Sequence, residues 1–299
     1  MPYVDTPRMR FHYRTHGDPT GLPMLLLHGS HGSSRWWEPF LALLPEEIYA
    51  VAPDLRGHGL SEQRDDGYAI EAQADDLHAF VAALDLHQID LVGHSSGAAI
   101  AMEFALAHPE LLSTLVLVDP VPAEGVFTPV DTFDLLEQMR TDRALHAAAI
   151  AALMVSFDHE DRPDNRENHA FFAQLVDDAQ AMAPAAFTAM ATALGRWNRF
   201  ADVQRLTLPT LICWGDRDTI VDRDATTRTF IAIPGANNLE VLRGSGHSPM
   251  IEAPLVLAER IVDFITQDYT EFDAIRASVD EEEFDGHAAS DADDQESTP

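Results

Sequence analysis

The sequence contains no lysine and only one cysteine, Cys213, among its 299 residues. A single cysteine excludes an intrachain disulfide bond. No apolar run reaches the roughly 18 residues that a membrane-spanning helix needs, so no segment is expected to cross a bilayer. The first ten residues, MPYVDTPRMR, also lack the apolar stretch of a secretory signal. Together these absences favour a cytoplasmic protein.

Positive charge is scarce as well, because 50 acidic residues stand against 19 basic ones and give a formal net charge of −31. Residues 268–299 contain twelve acidic residues and one arginine, which leaves −20 for residues 1–267. Such a chain repels phosphate backbones and anionic lipid headgroups, so neither nucleic-acid nor membrane partners are expected. Two explanations of the acidity stay open: adaptation to high salt, and a GC-rich genome that favours arginine together with one acidic tail.

Short apolar runs alternate with helical patterns over residues 1–120, which is typical of βαβ units in a parallel sheet. The same rhythm returns over residues 201–267. Both segments are therefore predicted to form one α/β core. Strands are predicted at 8–14, 24–27, 49–52, 89–92, 115–118, 210–214 and 239–242, and helices at 36–44, 70–84, 96–107 and 255–266.

Residues 121–200 contain no strand-like run and show helical patterns at 131–139, 144–155, 171–180 and 184–194. This segment is predicted to be a helical insertion in the core. Residues 268–299 are acidic and poor in apolar side chains, so they are expected to be a disordered tail.

The sharpest motif is Gly93-His94-Ser95-Ser96-Gly97, a G-x-S-x-G sequence between a predicted strand and a predicted helix. A serine on such a tight turn is lifted off the end of the sheet, and small glycines let neighbouring backbone pack closely. The N-terminus of the following helix carries a partial positive charge, which would stabilise negative charge that develops next to the serine during a reaction. Ser95 is therefore the candidate nucleophile.

A serine hydroxyl needs a base to accept its proton. His247 ends the glycine-rich sequence GSGH directly after the last predicted strand, which places it at the same sheet edge as Ser95. It is the candidate base among 14 histidines.

The base needs an anionic partner that fixes its tautomer. Asp218, in the sequence GDRD after the strand at 210–214, is the preferred candidate. Asp119, at the end of the strand at 115–118, and Asp216, which follows the 210–214 strand more closely, remain alternatives. The chain order Ser95, Asp218, His247 is the one expected for a fold whose nucleophile lies in a G-x-S-x-G turn.

An oxyanion hole is expected from two backbone N–H groups, those of Ser30 and Ser96. Ser30 belongs to the sequence His28-Gly29-Ser30, which ends the strand at 24–27. The side chains of His28 and His31 are expected to be structural. No Gly-rich dinucleotide loop and no metal-ligand spacing is present, so neither a cofactor nor a metal is predicted.

Five motifs in this order resemble the α/β-hydrolase superfamily over about residues 8–266. The motifs are HGS at 28–30, DLRGHG at 54–59, GHSSG at 93–97, GDRD at 215–218 and GH at 246–247. The chain is most similar to the branch of Ser-nucleophile esterases, enol-lactonases and cofactor-free haloperoxidases. The resemblance implies a mostly parallel eight-stranded sheet flanked by helices, with a helical cap inserted after the sixth strand that matches residues 121–200. It also identifies Trp37 as the aromatic residue that commonly follows the oxyanion loop.

The expected reaction is hydrolysis of a small or medium carboxylic ester or lactone through an acyl-enzyme. The candidate substrate-binding residues are Trp37, Phe127, Met154, Phe171 and Trp197. Two alternatives are a small-molecule receptor on a slow hydrolase scaffold and a cofactor-free perhydrolase or haloperoxidase.

Overall fold

An eight-stranded sheet runs through residues 2–267, the part of the chain that the computed structural model describes. Its spatial order is β1-β2-β4-β3-β5-β6-β7-β8, in which β1–β2 and β2–β4 pair antiparallel and all other neighbours pair parallel. The predicted fold class is confirmed. The strands are β1 Tyr3–Asp5, β2 Arg10–His16, β3 Leu22–Leu27, β4 Ile48–Pro53, β5 Ile89–His94, β6 Leu112–Val118, β7 Thr210–Gly215 and β8 Ala236–Leu242.

The register of the parallel strands brings their carboxyl ends to one edge of the sheet. Leu27 of β3 pairs with Gly93 of β5, His94 pairs with Val118 of β6, and Val118 pairs with Cys213 of β7. Because parallel strands end on the same side, the loops that follow β3, β5, β6, β7 and β8 meet there. All candidate reacting groups follow these strands.

Helices cover the sheet and bury its apolar strands. Phe11 of β2 meets Phe80 of the second helix with ring centroids 4.9 Å apart, and Phe104 of the third helix is fully buried. The helices are α1 Glu38–Leu41, α2 Ile70–Ala83, α3 Ser96–Ala107, α4 Val130–Thr141, α5 Arg143–Ala152, α6 Arg166–Gln180, α7 Ala186–Arg196, α8 Arg223–Ala232, α9 Pro249–Glu252 and α10 Pro254–Ile265. Short 3₁₀ turns cover Ser34–Trp37, Pro109–Leu111 and Asp202–Arg205.

Several element boundaries differ from the sequence-based expectations. The helix predicted at 36–44 is a 3₁₀ turn followed by the four residues of α1. Strand β8 starts at Ala236 rather than at residue 239, because Ala236 pairs with Thr210 of β7. The edge strand β1 and the helix α8 were not predicted.

Helices α4 to α7 all lie between β6 and β7, in the interval predicted to be helical. Asp142 separates α4 from α5, since its carboxylate accepts hydrogen bonds from the backbone N–H groups of Ala144 and Leu145 at 3.0 Å. None of the helices within residues 2–267 has the length and apolar character that crossing a membrane requires. The predicted tail at 268–299 lies outside the described residues.

Candidate active site

Ser95 occupies a strained turn between β5 and α3. Its φ of 54° falls in the left-handed region that non-glycine residues rarely adopt. The turn is held by the Ser95 N–H, which donates to Val118 O at 3.0 Å. A Cβ on Gly93 would lie 2.6 Å from Gly97 O, and one on Gly97 would lie 2.5 Å from His28 O. Both glycines of the motif are therefore required by close backbone approach.

His247 lies in the loop after β8 and connects Ser95 to Asp218. Its Nε2 is 2.9 Å from Ser95 Oγ, and its Nδ1 is 2.7 Å from Asp218 Oδ2. An ionised carboxylate can only accept, so Nδ1–H donates to Asp218 and Nε2 is left to accept the Ser95 hydroxyl proton. This is the arrangement that activates a serine hydroxyl.

The loop after β7 holds the Asp218 carboxylate in place. Asp218 Oδ1 accepts the backbone N–H groups of Ile220 and Val221 at 2.7 and 3.1 Å. Asp216 instead accepts the N–H of Gly244 at 2.7 Å, which ties two loops together. Of the three candidate acids, Asp218 is the one that the structure places against His247.

Asp119 lies close to this pair but is fully buried at the end of β6. Its φ is 43°, and its Oδ1 accepts the Gly215 N–H at 2.8 Å. Burial and the neighbouring Asp218 carboxylate raise the pKa of Asp119 well above its ordinary value. Asp119 is therefore a neutral carboxylic acid beside the charged Asp218.

Asp119, Asp218 and His247 place ligand-type atoms within 4.8 Å of one another, the spacing that a metal site would also need. Both ring nitrogens of His247 already form hydrogen bonds, however, one to Asp218 and one to Ser95. A metal ligand must leave one ring nitrogen free for the ion. The contacts therefore fit a proton-transfer site better than a metal centre.

The sequence reasoning missed two side chains that hold the His247 loop. Glu252 accepts the backbone N–H groups of Gly246 and Ser248 at 2.9 and 3.1 Å, and it also contacts Ser156, which follows α5. His94 Nε2–H donates to the carbonyl of His247 at 2.7 Å. Burial lowers the pKa of His94 well below its ordinary value, so this histidine is neutral. His94 lies inside the G-x-S-x-G motif, but nothing in the sequence shows its partner.

The predicted oxyanion loop lies over the start of α3. Ser30 Oγ donates to Ser96 Oγ at 3.0 Å, which joins the two residues whose N–H groups were predicted to bind an oxyanion. Neither of these N–H groups forms a hydrogen bond within residues 2–267. His28 fixes the loop, since its Nε2 accepts the Leu55 N–H at 3.0 Å. Both amides are thus available for an anionic oxygen.

The DLRGHG segment supports this loop through a buried carboxylate. Asp54 accepts the Ser34 and Leu60 N–H groups at 2.6 and 2.8 Å and lies 2.7 Å from His12 Nδ1. Burial opposes ionisation of Asp54, but these hydrogen bonds outweigh it and lower its pKa to about 2. Asp54 is therefore a charged structural anchor behind the oxyanion loop.

Three of the five predicted substrate-binding residues lie in the core or on the surface, and their role toward substrate stays a prediction. Trp37 has no exposed surface and packs edge-to-face on Phe40, so it belongs to the core. Trp197 is also in the core, where its indole N–H donates to Glu103 at 2.9 Å. Phe127 is 89% exposed and is a surface residue. Aromatic character in the sequence does not distinguish these environments.

The two remaining candidates lie in the helical segment between β6 and β7. Met154 is buried directly after α5, two residues before the Ser156 contact with the His247 loop. Phe171 is half-buried on α6, with its ring edge toward Phe157 at 6.2 Å between centroids.

Comparison with known proteins agrees with this sheet. The model of the alpha/beta hydrolase family matches residues 24–260, so the chain belongs to that family.

The uncharacterized protein Rv2715 of Mycobacterium tuberculosis is 30% identical over 287 residues, which cover 86% of this chain and 80% of that protein. Monoacylglycerol lipase abhd6-B of Xenopus laevis is 25% identical over 292 residues, which cover 89% and 82% respectively. The crystal structure of a bromoperoxidase from Bacillus anthracis matches with a TM-score of 0.77 and 23% identity, over 89% of this chain and 100% of that one. The last comparison bears on the fold alone.

Proposed function

We propose that the chain is a serine hydrolase that cleaves a small or medium carboxylic ester or lactone through an acyl-enzyme. The observation that carries this proposal is the unbroken contact from Ser95 Oγ to His247 Nε2 at 2.9 Å and from His247 Nδ1 to Asp218 Oδ2 at 2.7 Å. A relative named as a monoacylglycerol lipase supports an ester substrate.

In the proposed reaction, Ser95 Oγ attacks the carbonyl carbon while His247 Nε2 takes its proton. Asp218 stabilises the imidazolium that forms. The Ser30 and Ser96 N–H groups donate to the oxyanion of the tetrahedral intermediate. His247 then protonates the leaving alkoxide, and in the second half-reaction it deprotonates the water that cleaves the acyl-enzyme.

The helices α4 to α7 are proposed to form the cap predicted for residues 121–200 and to provide the acyl or alcohol pocket. Support comes from the contact of Ser156 with Glu252, which links this segment to the His247 loop. Met154 and Phe171 remain proposed pocket residues.

The test is steady-state hydrolysis of short p-nitrophenyl esters by the wild type and by Ser95→Ala. We expect many turnovers per wild-type molecule and a loss of at least roughly 10³-fold in kcat for the variant. The matched control is Ser30→Ala, which keeps the backbone N–H and should retain most of the activity. Undiminished turnover by Ser95→Ala would refute the proposal, and a single slow turnover by the wild type would favour a receptor.

A further inference from the structure

A series of hydrogen-bonded side chains connects the oxyanion loop to the helices between β6 and β7. His31, the residue after Ser30, lies with its Nδ1 3.0 Å from Nε2 of His146 on α5. Nδ1 of His146 is 2.7 Å from the Nε2 amide of Gln180, the last residue of α6. The same amide donates to the backbone carbonyl of Met139 at 2.8 Å. The Met139 carbonyl, the last group in this series of hydrogen bonds, determines where the protons lie on the two histidine rings.

A carbonyl oxygen can only accept, so the Met139 carbonyl fixes which end of the Gln180 side chain is the NH₂ group. The second hydrogen of that NH₂ group is donated to His146 Nδ1. His146 therefore carries its proton on Nε2 and donates it to His31 Nδ1. It follows that His31 carries its own proton on Nε2, which leaves one ring N–H as a donor.

Both histidines are neutral, as this pattern requires. Burial lowers the pKa of His31 to about 3, assisted by the nearby His146 and His58 rings, and burial lowers that of His146 to about 4. A charged pair would place two N–H groups against each other.

His31 has an unusual backbone conformation and a ring N–H group without a hydrogen-bond partner among the described residues. Its φ is 62°, a left-handed conformation that costs free energy in a non-glycine residue and is found most often at functional sites. The side chain is half-buried, with its ring edge toward Phe187 at 5.6 Å between centroids. Within residues 2–267 its Nε2–H has no hydrogen-bond partner. His31, the residue after Ser30, therefore carries an N–H that is available to donate to a bound molecule.

From this geometry we infer that His31 is a substrate-binding residue whose Nε2–H donates to a second oxygen of the substrate, close to the reacting carbonyl. The inference rests on the proposed function and narrows its substrate class to esters or lactones that carry an additional ether, hydroxyl or carbonyl oxygen. His146 and Gln180 act as positioning residues, since they hold the His31 tautomer without touching substrate.

The experiment compares esters in which one CH₂ group is replaced by an oxygen of similar size. One pair, p-nitrophenyl methoxyacetate and p-nitrophenyl butyrate, places the oxygen in the acyl part. A second pair, 2-methoxyethyl butyrate and butyl butyrate, places it in the alcohol part. The ratio of kcat/KM within each pair is measured for the wild type and for variants, so that intrinsic ester reactivity cancels between proteins.

His31→Asn and His31→Gly both tolerate a positive φ and both lack a donor at the Nε2 position. We expect each to lower the oxygen-to-CH₂ ratio roughly three- to tenfold in at least one pair, while hydrolysis of the all-carbon ester changes little. His31→Gln places an amide NH₂ near the former Nε2 and should retain the ratio. Unchanged ratios in both pairs, with turnover that still depends on Ser95, would overturn the inference and leave the proposed function intact.

The tautomer has an independent readout in the ¹⁵N chemical shifts of histidine side chains, with the His31 signals assigned from the His31→Asn spectrum. We expect His31 to carry its proton on Nε2 and none on Nδ1 in the wild type. In Gln180→Met, a fraction of the molecules should carry the His31 proton on Nδ1 instead. A wild-type His31 that carries its proton on Nδ1 would refute the inference. If no Ser95-dependent turnover exists at all, the proposed function fails and the inference fails with it.

Discussion

Two carboxyl groups lie beside one imidazole in this site, and their surroundings give them different states. Asp218 accepts two backbone N–H groups and faces the Nδ1–H of His247, so its negative charge has three donors. Asp119 accepts one backbone N–H at Oδ1, and no N–H group within residues 2–267 donates to its second oxygen. A buried carboxyl with so few donors, next to another negative charge, keeps its proton.

This difference predicts unequal effects of two conservative substitutions. In the proposed reaction the Asp218 charge stabilises the imidazolium, so Asp218→Asn should lower kcat roughly 10³- to 10⁴-fold on a p-nitrophenyl ester. Asp119→Asn resembles the neutral acid already present and should lower kcat by less than roughly fivefold. The measurement is kcat at pH 7 to 8 for both variants, with folding checked by circular dichroism. A larger loss in Asp119→Asn would assign the charged role to Asp119.

At the scale of single residues, the sequence predicts the location of side chains that directly follow a strand. It does not predict contacts between residues that lie far apart in the sequence. The sequence predicted that Ser95, His247 and Asp218 would lie close together because each follows a recognisable strand, and parallel strands end at one edge. The contact of Glu252 with Ser156 and that of His31 with His146 each join residues more than 90 positions apart. No local pattern encodes such contacts.

At the scale of elements, the central strand β5 contains a buried ionisable residue. Asp90 lies between apolar neighbours, and within residues 2–267 its carboxyl group forms one hydrogen bond, which the Thr114 hydroxyl of β6 donates at 2.8 Å. Burial raises the pKa of Asp90 from its ordinary 3.8 to about 6, although the Thr114 bond opposes this rise. The folded state therefore holds a proton that the unfolded chain releases between about pH 4 and pH 6.

Consequently, the free energy of unfolding should decrease as pH rises through this window, and Asp90→Asn should remove that contribution. An asparagine still accepts the Thr114 hydroxyl, so the variant should be more stable by about 2–3 kcal/mol at pH 8 and nearly equal to the wild type near pH 4. Urea unfolding at several pH values measures this difference. A stability gain that is independent of pH, or a loss at pH 8, would contradict the assigned ionisation.

The sheet was also the part of the fold that sequence patterns predicted best. Strands such as β5 are buried along their whole length, and a continuous apolar run is a strong signal. The boundaries of β8 and α1 were harder, because the pairing of Ala236 with Thr210 and the 3₁₀ turn before Glu38 arise from tertiary contacts. Propensity alone does not anticipate either one.

At the scale of the whole molecule, the dominant property is net charge. Residues 1–267 have a formal charge of −20, and the ion pairs that arginines form on the surface do not neutralise it. Exposed pairs contribute little free energy each, whereas unpaired carboxylates repel one another over about 10 Å at ordinary ionic strength. The folded state is therefore expected to be destabilised by its own charge at low salt.

Added salt should relieve this repulsion. We expect the melting temperature at pH 7.5 to rise by about 5 °C or more between about 0.02 M and about 1 M sodium chloride. The rise should shrink as pH is lowered toward the pI of about 4.5, where the carboxylates lose charge. Differential scanning calorimetry at two pH values tests both statements. A melting temperature that is independent of salt at pH 7.5 would show that the acidic surface has no energetic effect.

The most direct test of the central claim is intact-protein and peptide mass spectrometry on samples quenched during turnover of a p-nitrophenyl ester. The proposed mechanism predicts an added acyl mass on the peptide that contains Ser95, which appears together with the burst of p-nitrophenol and is absent from Ser95→Ala. An acyl group on a different residue, or a burst of p-nitrophenol with no acylated protein at any quench time, would contradict the account.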